Sequence, residues 1–276
     1  RDRGQAMVDL QDVYEQHGML VNARELPDYL PMFLEFLSTL PAGEARLVTR
    51  SLWQNATPFE QSYYSWMNVG IKAGGNLRLV NPGTHYIDHD GKAYPWPIDP
   101  GDGRDRSWYE RNDFGSYKSY HVLGRLSEFF GGYWHDDDFG MAHWSPFGDK
   151  PGRKVWIWGL AREGMIWENL LTDRDGQYVE VQSGRLFNQA SPASGRTPFV
   201  HRGFAPYSTD VWEESWLPVR GTKGFVTASS WGAMNVTREA GKLIVRISPA
   251  RPLRDRLEVL DGEKVLARRN VDLKPM

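Results

Sequence analysis

All twelve tryptophans of this 276-residue chain lie from Trp53 onward, and the first 52 residues contain none. The spacing of apolar residues changes at nearly the same place. Up to about residue 45 they recur at helical intervals. From Arg46 onward they alternate with polar residues or gather in short β-branched and aromatic runs. Helical and strand periods differ too much for one architecture to serve both, so the chain reads as two unlike pieces, 1–45 and 46–276.

In the first piece Met7, Leu10, Val13 and Tyr14 share one helical face, and Leu30, Phe33, Leu34 and Leu37 share another. Gly18, Asn22 and Pro27 break the helix and restart it, and Pro41 ends it. The expectation is a helical hairpin that needs a partner surface, because two amphipathic helices cannot bury both apolar stripes alone. The second piece carries runs such as "RLVTRSLWQN", "KVWIWG", "YVEVQSG", "KLIVRISP" and "RLEVLDG". Turn signals separate them: "GTHYIDHDGKAYP", "FGDKPGRK", "DRDGQ", "EAGK" and "LDGEK". That pattern predicts a mainly β, antiparallel domain. "RLSEFFGGY" is the one stretch after residue 46 with short-helix spacing, and no internal repeat of 20–50 residues emerges.

Composition closes several routes. Net charge is −2 with both signs mixed along the chain, which gives no field for nucleic acid or an anionic membrane. There is no cysteine, which removes disulfides, thiolate metal sites and cysteine nucleophiles and fits a cytoplasmic location. No apolar run approaches the roughly 20 residues that span a bilayer. The start, "RDRGQAMVDL", has neither an initiator Met nor an apolar signal core, so the chain is expected to begin inside a longer reading frame.

The segment "LTDRDGQYVEVQSG", Leu171 to Gly184, looks like a tight turn leading into a strand. Along it Val179 and Val181 point one way, and Tyr178, Glu180 and Gln182 point the other. A carboxylate and an amide framed by an aromatic suit either a solvated outer face or the wall of a sugar-sized pocket. Tryptophans are the natural companions of such a wall, since indole faces stack on pyranose C–H groups and indole N–H donates to hydroxyls. Trp66, Trp96, Trp134, Trp144, Trp156, Trp158 and Trp167 fall near turns or in alternating strands. Most tryptophans are expected to fill the core, with a minority at a pocket.

Other clusters are weaker. "YWHDDDFGMAHW" holds His135, Asp136, Asp137, Asp138 and His143, but without the helical spacing of a zinc motif, and a solvated loop is the plainer reading. His85 and His89 are four apart in a predicted hairpin, where that spacing does not bring ligands together. "TDRDGQY" lacks the later acidic positions of a calcium loop. Neither a phosphate loop nor a GxSxG elbow occurs. No metal and no cofactor is expected.

Two resemblances join these readings. "RGQAMVDL", "YEQHG" and "RELPDYLP" follow one another as in NarJ, the family of nitrate reductase molybdenum cofactor assembly chaperones, so residues 1–45 resemble an internal fragment of that family. The resemblance implies an all-helical chaperone that binds a peptide tail. From Arg46 on, "NATPFEQSYYSWMNVGI", "YPWP", "FGMAHWSP", "PGRKVWIWG", "WENLLTDRDGQYVEVQSG", "FNQ" and "ESWLPVRG" resemble the domain-of-unknown-function family 5107. That family is similar to the galactose mutarotase superfamily, which implies the later part of an antiparallel supersandwich and a carbohydrate ligand. It also implies a carboxylate base in a short "E-T-Q"-like strand, matched here by "EVQ" with Glu180 and Gln182. In the superfamily's "H-x-Y-F-N" stretch this chain has "YSWMN", with Tyr64 where the acid His would stand and Asn68 on the Asn. His143 and Tyr64 are the candidate acids. Gln182, Asn68, Trp66, Trp134, His135, Trp144, Asn188 and Gln189 are the candidate ligand contacts. The expected function is carbohydrate recognition, with carbohydrate-active chemistry as its enzymatic form. The alternatives are peptide binding through 1–45 and a chimeric chain with no intact function. A homo-oligomer would supply a missing sandwich face.

Overall fold

The computed structural model describes residues 3–20, 45–89, 91–171, 176–186 and 202–275. Helix α1 (Arg3–Gln16) precedes a β domain that has, among the described residues, one further α-helix, α2 (Arg162–Leu171). One sheet has five strands in the order β1 (Leu47–Gln54), β13 (Thr209–Arg220), β9 (Phe139–Trp144), β8 (Phe129–Trp134) and β4 (Leu77–Val80). A second has six: β3 (Trp66–Lys72), β11 (Tyr178–Gly184), β10 (Gly152–Trp158), β7 (Tyr117–Leu123), β5 (His85–Ile87) and β6 (Ala93–Pro95). A third has three, β14 (Thr227–Ser229), β15 (Gly232–Glu239) and β16 (Lys242–Pro249). Two pairs complete the fold, β2 (Gln61–Tyr63) with β12 (Arg202–Phe204), and β17 (Leu253–Asp261) with β18 (Lys264–Leu273). Every pairing is antiparallel.

The layers follow from alternation. Val69 and Ile71 on β3, Val155 and Ile157 on β10, and Val179 and Val181 on β11 project from one face of the six-stranded sheet. They meet Leu77, Leu79, Phe130, Met141 and Trp216 from the five-stranded sheet, and Tyr86, Trp96 and Tyr120 close the same core. Each such aliphatic contributes about 1.5–3 kcal/mol by leaving water. The opposite face of the five-stranded sheet carries Phe129, Tyr133, Leu217 and Val219, packed on Phe225, Ala228 and Ala233 of the three-stranded layer and its approach. The five-stranded sheet is thus covered on both faces. The outward face of the six-stranded sheet keeps the residues that alternate with Val155, Ile157, Val179 and Val181.

The mainly β, antiparallel expectation holds, and the first strand, β1, begins at Leu47. Helix α1 is present, whereas the second member of the expected hairpin, Leu30 to Leu37, lies outside the described residues. "RLSEFFGGY" is not a helix: its Phe129–Tyr133 part is in β8, paired on one side with β4 and on the other with β9. Two consecutive glycines, Gly131 and Gly132, weaken any helix there, and pairing on both edges outweighs the local spacing. Helix α2 was not anticipated; its Ile166 and Leu170 are exposed, so the apolar stripe that betrays a helix is thin. Among the described residues no helix is long and apolar enough to cross a membrane.

Candidate functional site

The outward face of β11 carries Tyr178, Glu180 and Gln182, as its alternation predicts, while Val179 and Val181 are wholly buried in the core. Register brings the neighbours. Asn68 on β3 stands opposite Gln182, and Trp156 and Lys154 on β10 stand opposite Glu180 and Gln182. One strand further, Ser119 and His121 on β7 stand opposite Trp156 and Lys154.

Glu180 is held by three donors. The amides of Asn68 and Gln182 both donate to its Oε2, at 2.7 and 2.6 Å, and the Tyr178 hydroxyl donates to Oε1 at 3.1 Å. Tyr178 is itself fixed by the Trp158 indole N–H at 3.0 Å. One carboxylate oxygen is therefore engaged twice and the other once. Oε1 keeps lone-pair capacity for a further donor.

Aromatic rings frame this carboxylate. Trp156 stacks on Tyr117 with centroids 4.2 Å apart, and Trp158 stacks on Trp167 of α2 at 4.6 Å. Trp66 lies flat across the sheet because Gly184 and Gly152 leave room beneath it. A Cβ at those positions would meet the indole at 2.5 and 2.7 Å. The Lys154 ammonium sits over this ring at 5.4 Å and over Trp156 at 5.3 Å.

Among the described residues, four buried polar atoms here have no hydrogen-bond partner: Lys154 Nζ, Trp66 Nε1, Trp156 Nε1 and Gln182 Oε1. An unpaired buried polar group costs about 1–3 kcal/mol. Burial pulls the Lys154 amine down to about 7, against the opposing attraction of Glu180. The unfolded chain, with an ordinary lysine, then holds a proton that the folded chain releases between about pH 7 and 10.5. Stability rises with pH in that window. Lys154→Met is accordingly expected to raise the melting temperature at pH 6, by the equivalent of about 1–3 kcal/mol. The gap to the wild type should narrow as pH rises from 7 to 9, and a variant that melts lower at every pH would contradict this.

A second polar cluster lies inside the sandwich. Glu214 on β13 is wholly buried. His143 on β9 shares a hydrogen bond of 2.8 Å with its Oε2, and Ser183 on β11 donates to the same oxygen at 2.6 Å. The Lys150 ammonium pairs with Oε1 at 3.1 Å. Burial holds His143 below its ordinary value, against the pull of Glu214, so near neutral pH its ring N–H donates to the carboxylate as a neutral group.

The structure brings together Glu180, Gln182, Asn68 and Trp66. It does not bring His143 to them. Ser183 points to the opposite face of β11 from Glu180, and it is Ser183 that shares Glu214 with His143. Tyr64 lies between β2 and β3, largely exposed, and is not among the groups that hold Glu180. Trp134 stands in the core between the sheets, its indole N–H bonded to the Lys72 carbonyl. Trp144 packs on the cluster beneath the three-stranded layer. His135, in the β8–β9 turn, packs on Trp108 and Tyr133, and burial lowers its pKa. Asn188 and Gln189 lie outside the described residues. Fewer tryptophans fill the core than expected: Trp96, Trp134, Trp212 and Trp216 are the buried ones among the described residues. Sequence reasoning missed Lys154 and His121. The signal for Lys154 was present, since in "GRKVWIWG" alternation sets it on the same face as Trp156 and Trp158.

The model of a family described as Domain of unknown function (DUF5107) matches residues 21–219. Over 45 residues, 16% of this chain, the sequence is 67% identical to the nitrate reductase molybdenum cofactor assembly chaperone NarJ of Escherichia coli K12, covering 19% of that protein. Among solved structures, a TPR-domain containing protein from Parabacteroides distasonis aligns with a TM-score of 0.51 and 21% identity, over 63% of this chain and 28% of that one. A putative aldose 1-epimerase from Klebsiella pneumoniae aligns with a TM-score of 0.41 and 11% identity, over 63% of this chain and 43% of that one. The chain spans about a fifth of the length of the curated relatives it matches.

Proposed function

The chain belongs to the family of domains of unknown function DUF5107, and from that premise we propose that it recognises carbohydrate through the face of the six-stranded sheet centred on Glu180. The observation that carries this reading is the set of four unpartnered buried polar atoms gathered with indole faces around a carboxylate. Hydroxyls satisfy both orphaned donors and orphaned acceptors, and pyranose C–H faces match indole faces. A sugar supplies both kinds of group. The resemblance to mutarotase-like domains supports the same ligand class. We place the boundary of the β domain near Arg46, where Ala45 already donates to the Ala250 carbonyl at 2.7 Å.

Tryptophan fluorescence tests the reading. Titration with glucose, galactose and mannose is expected to give a saturable change. Trp156→Ala should weaken the binding about tenfold, the value of one good ring contact at roughly 1.4 kcal/mol. Saturation with the same affinity in that variant would move the ligand off this face.

The finer proposal is proton transfer by Glu180. Opening an aldose ring requires removal of the anomeric hydroxyl proton, cleavage of the bond from the anomeric carbon to the ring oxygen, and delivery to that oxygen of a proton from solvent water. Oε1 of Glu180, with one partner instead of two, is the atom placed to take the first proton.

The 67% identity over 45 residues favours a second reading for the N-terminal segment, peptide binding of the kind a nitrate reductase assembly chaperone performs. Titrating the full chain with a peptide of the N-terminus of a nitrate reductase catalytic subunit tests it. Saturable binding at micromolar concentration is the expected result, and none up to about a millimolar, where affinity falls to about −4.1 kcal/mol, would end it.

A further inference from the structure

Two lysines in this domain are equally hidden, each about 1% exposed. Lys150 meets the Glu214 carboxylate at 3.1 Å inside the sandwich. Among the described residues Lys154 Nζ has no hydrogen-bond acceptor. A buried ammonium is costly unless it is paired, and Lys150 shows that this fold provides a carboxylate where one is needed. Beside Lys154 the carboxylate is Glu180, whose oxygens take hydrogen bonds from Asn68, Gln182 and Tyr178. Its attraction reaches Lys154 only as a charge at a distance.

The unpartnered atoms around Lys154 are unequal in kind. Lys154 Nζ, Trp66 Nε1 and Trp156 Nε1 are donors, and Gln182 Oε1 is the single acceptor. Both indoles are the rings that flank the ammonium. A sugar hydroxyl can accept from these donors, but it brings no negative charge to answer the buried ammonium. A carboxylate accepts only, with about four lone-pair positions on two oxygens. Charge sets the limit in the other direction. Lys154 and Glu180 together sum to zero, so a monoanion leaves one net negative charge at a half-buried face, and a phosphate dianion leaves two.

Resting on the carbohydrate reading above, we infer that the preferred sugar of this face is an acid, a uronate, and that Lys154 receives its carboxylate with the Trp66 and Trp156 indole N–H groups as companions. Glu180, Asn68 and the outward tryptophans then hold the rest of the ring. The lowered amine pKa agrees with an ammonium kept short of a counter-ion. Discrimination follows from the same shortage. A site whose buried donors are matched by one ligand and left unpaired by its analogue separates the two strongly.

The test is a pairwise titration of the full chain at pH 6 by calorimetry: glucuronate against glucose, galacturonate against galactose, and glucose 6-phosphate as the phosphate arm. One acid of the two pairs is expected to bind about ten- to hundredfold tighter than its neutral parent, the range of a charge-assisted hydrogen bond. In Lys154→Met that advantage should collapse to within about twofold, and Lys154→Gln serves if the Met variant does not fold. Neutral sugars binding as tightly as their acids would overturn the inference while leaving the carbohydrate reading in place. A preserved acid preference in the Lys154 variants would overturn the assignment of that residue. Tighter binding of glucose 6-phosphate than of either acid would overturn the carboxylate. Failure of every sugar, acid or neutral, would overturn both readings together.

Discussion

Glu214→Ala is expected to destabilise the chain by about 3–5 kcal/mol, the usual result of removing one partner of a buried ion pair. Its carboxylate lies wholly inside the sandwich and answers three groups at once: Lys150, His143 and Ser183. Alanine would strand the Lys150 ammonium in an apolar interior beside Trp212, over whose ring it already sits at 5.1 Å. At about 2–4 °C per kcal/mol, the melting temperature should fall by about 6–20 °C. The acid limb carries a second signature. Burial alone would raise the Glu214 carboxyl, but the hydrogen bond from His143, the charge of Lys150 and the hydrogen bond from Ser183 outweigh it and hold the group at about 2. The folded carboxylate thus refuses a proton that the unfolded chain takes up near its ordinary value of 4.5. Its contribution is complete above that value and disappears as pH falls toward 2. Glu214→Gln should flatten this loss between pH 4.5 and 2, and an acid limb as steep as the wild type's would contradict the assignment.

Glu180→Gln is expected to separate binding from chemistry. Glutamine keeps the shape and one acceptor oxygen, and the Asn68 and Gln182 amides can turn their oxygens toward its new amino group. Affinity for the sugar should therefore stay within about threefold, less than the effect of one lost hydrogen bond. What glutamine cannot do is accept the anomeric proton. Exchange between sugar anomers, followed by magnetisation transfer between their proton signals, should slow by about 10²–10⁴-fold relative to the wild-type chain. Equal exchange by both proteins would remove Glu180 from any proton-transfer role and leave it a binding group.

Alternation carried much of this site from the sequence. A strand has a period of two, so reading Val179 and Val181 as inward set Tyr178, Glu180 and Gln182 outward without further knowledge. The same logic applied to "GRKVWIWG" sets Lys154 beside Trp156 and Trp158, but the aromatic residues drew the attention and the lysine was passed over. Other parts were not legible by any local rule. Asn68 reaches Glu180 across 112 residues of chain, and only the antiparallel register of β3 on β11 decides that it faces Gln182 and not Val181. His143 was a candidate acid because Tyr64 stands where the resembled family has its acid His. Sequence could not show that its partner would be Glu214, far along the chain on another strand and on the core side of β11. The expectation of tryptophans in the core exceeded the outcome for a related reason. The chain does not say which face of the six-stranded sheet the five-stranded sheet will cover, and that choice puts Val155 and Ile157 inside and Trp156 and Trp158 outside.

The most direct measurement is of the indole N–H signals in a nitrogen–proton correlation spectrum during sugar titration. Trp96 and Trp134 donate to the Asn81 and Lys72 carbonyls at 3.0 and 2.9 Å and serve as internal references. Trp66 and Trp156 have no indole acceptor among the described residues. A sugar bound at the Glu180 face must shift the Trp66 and Trp156 signals and leave those of Trp96 and Trp134 in place. Signals of Trp66 and Trp156 that stay fixed through saturation, or shifts confined to other indoles, would contradict a carbohydrate site on this sheet.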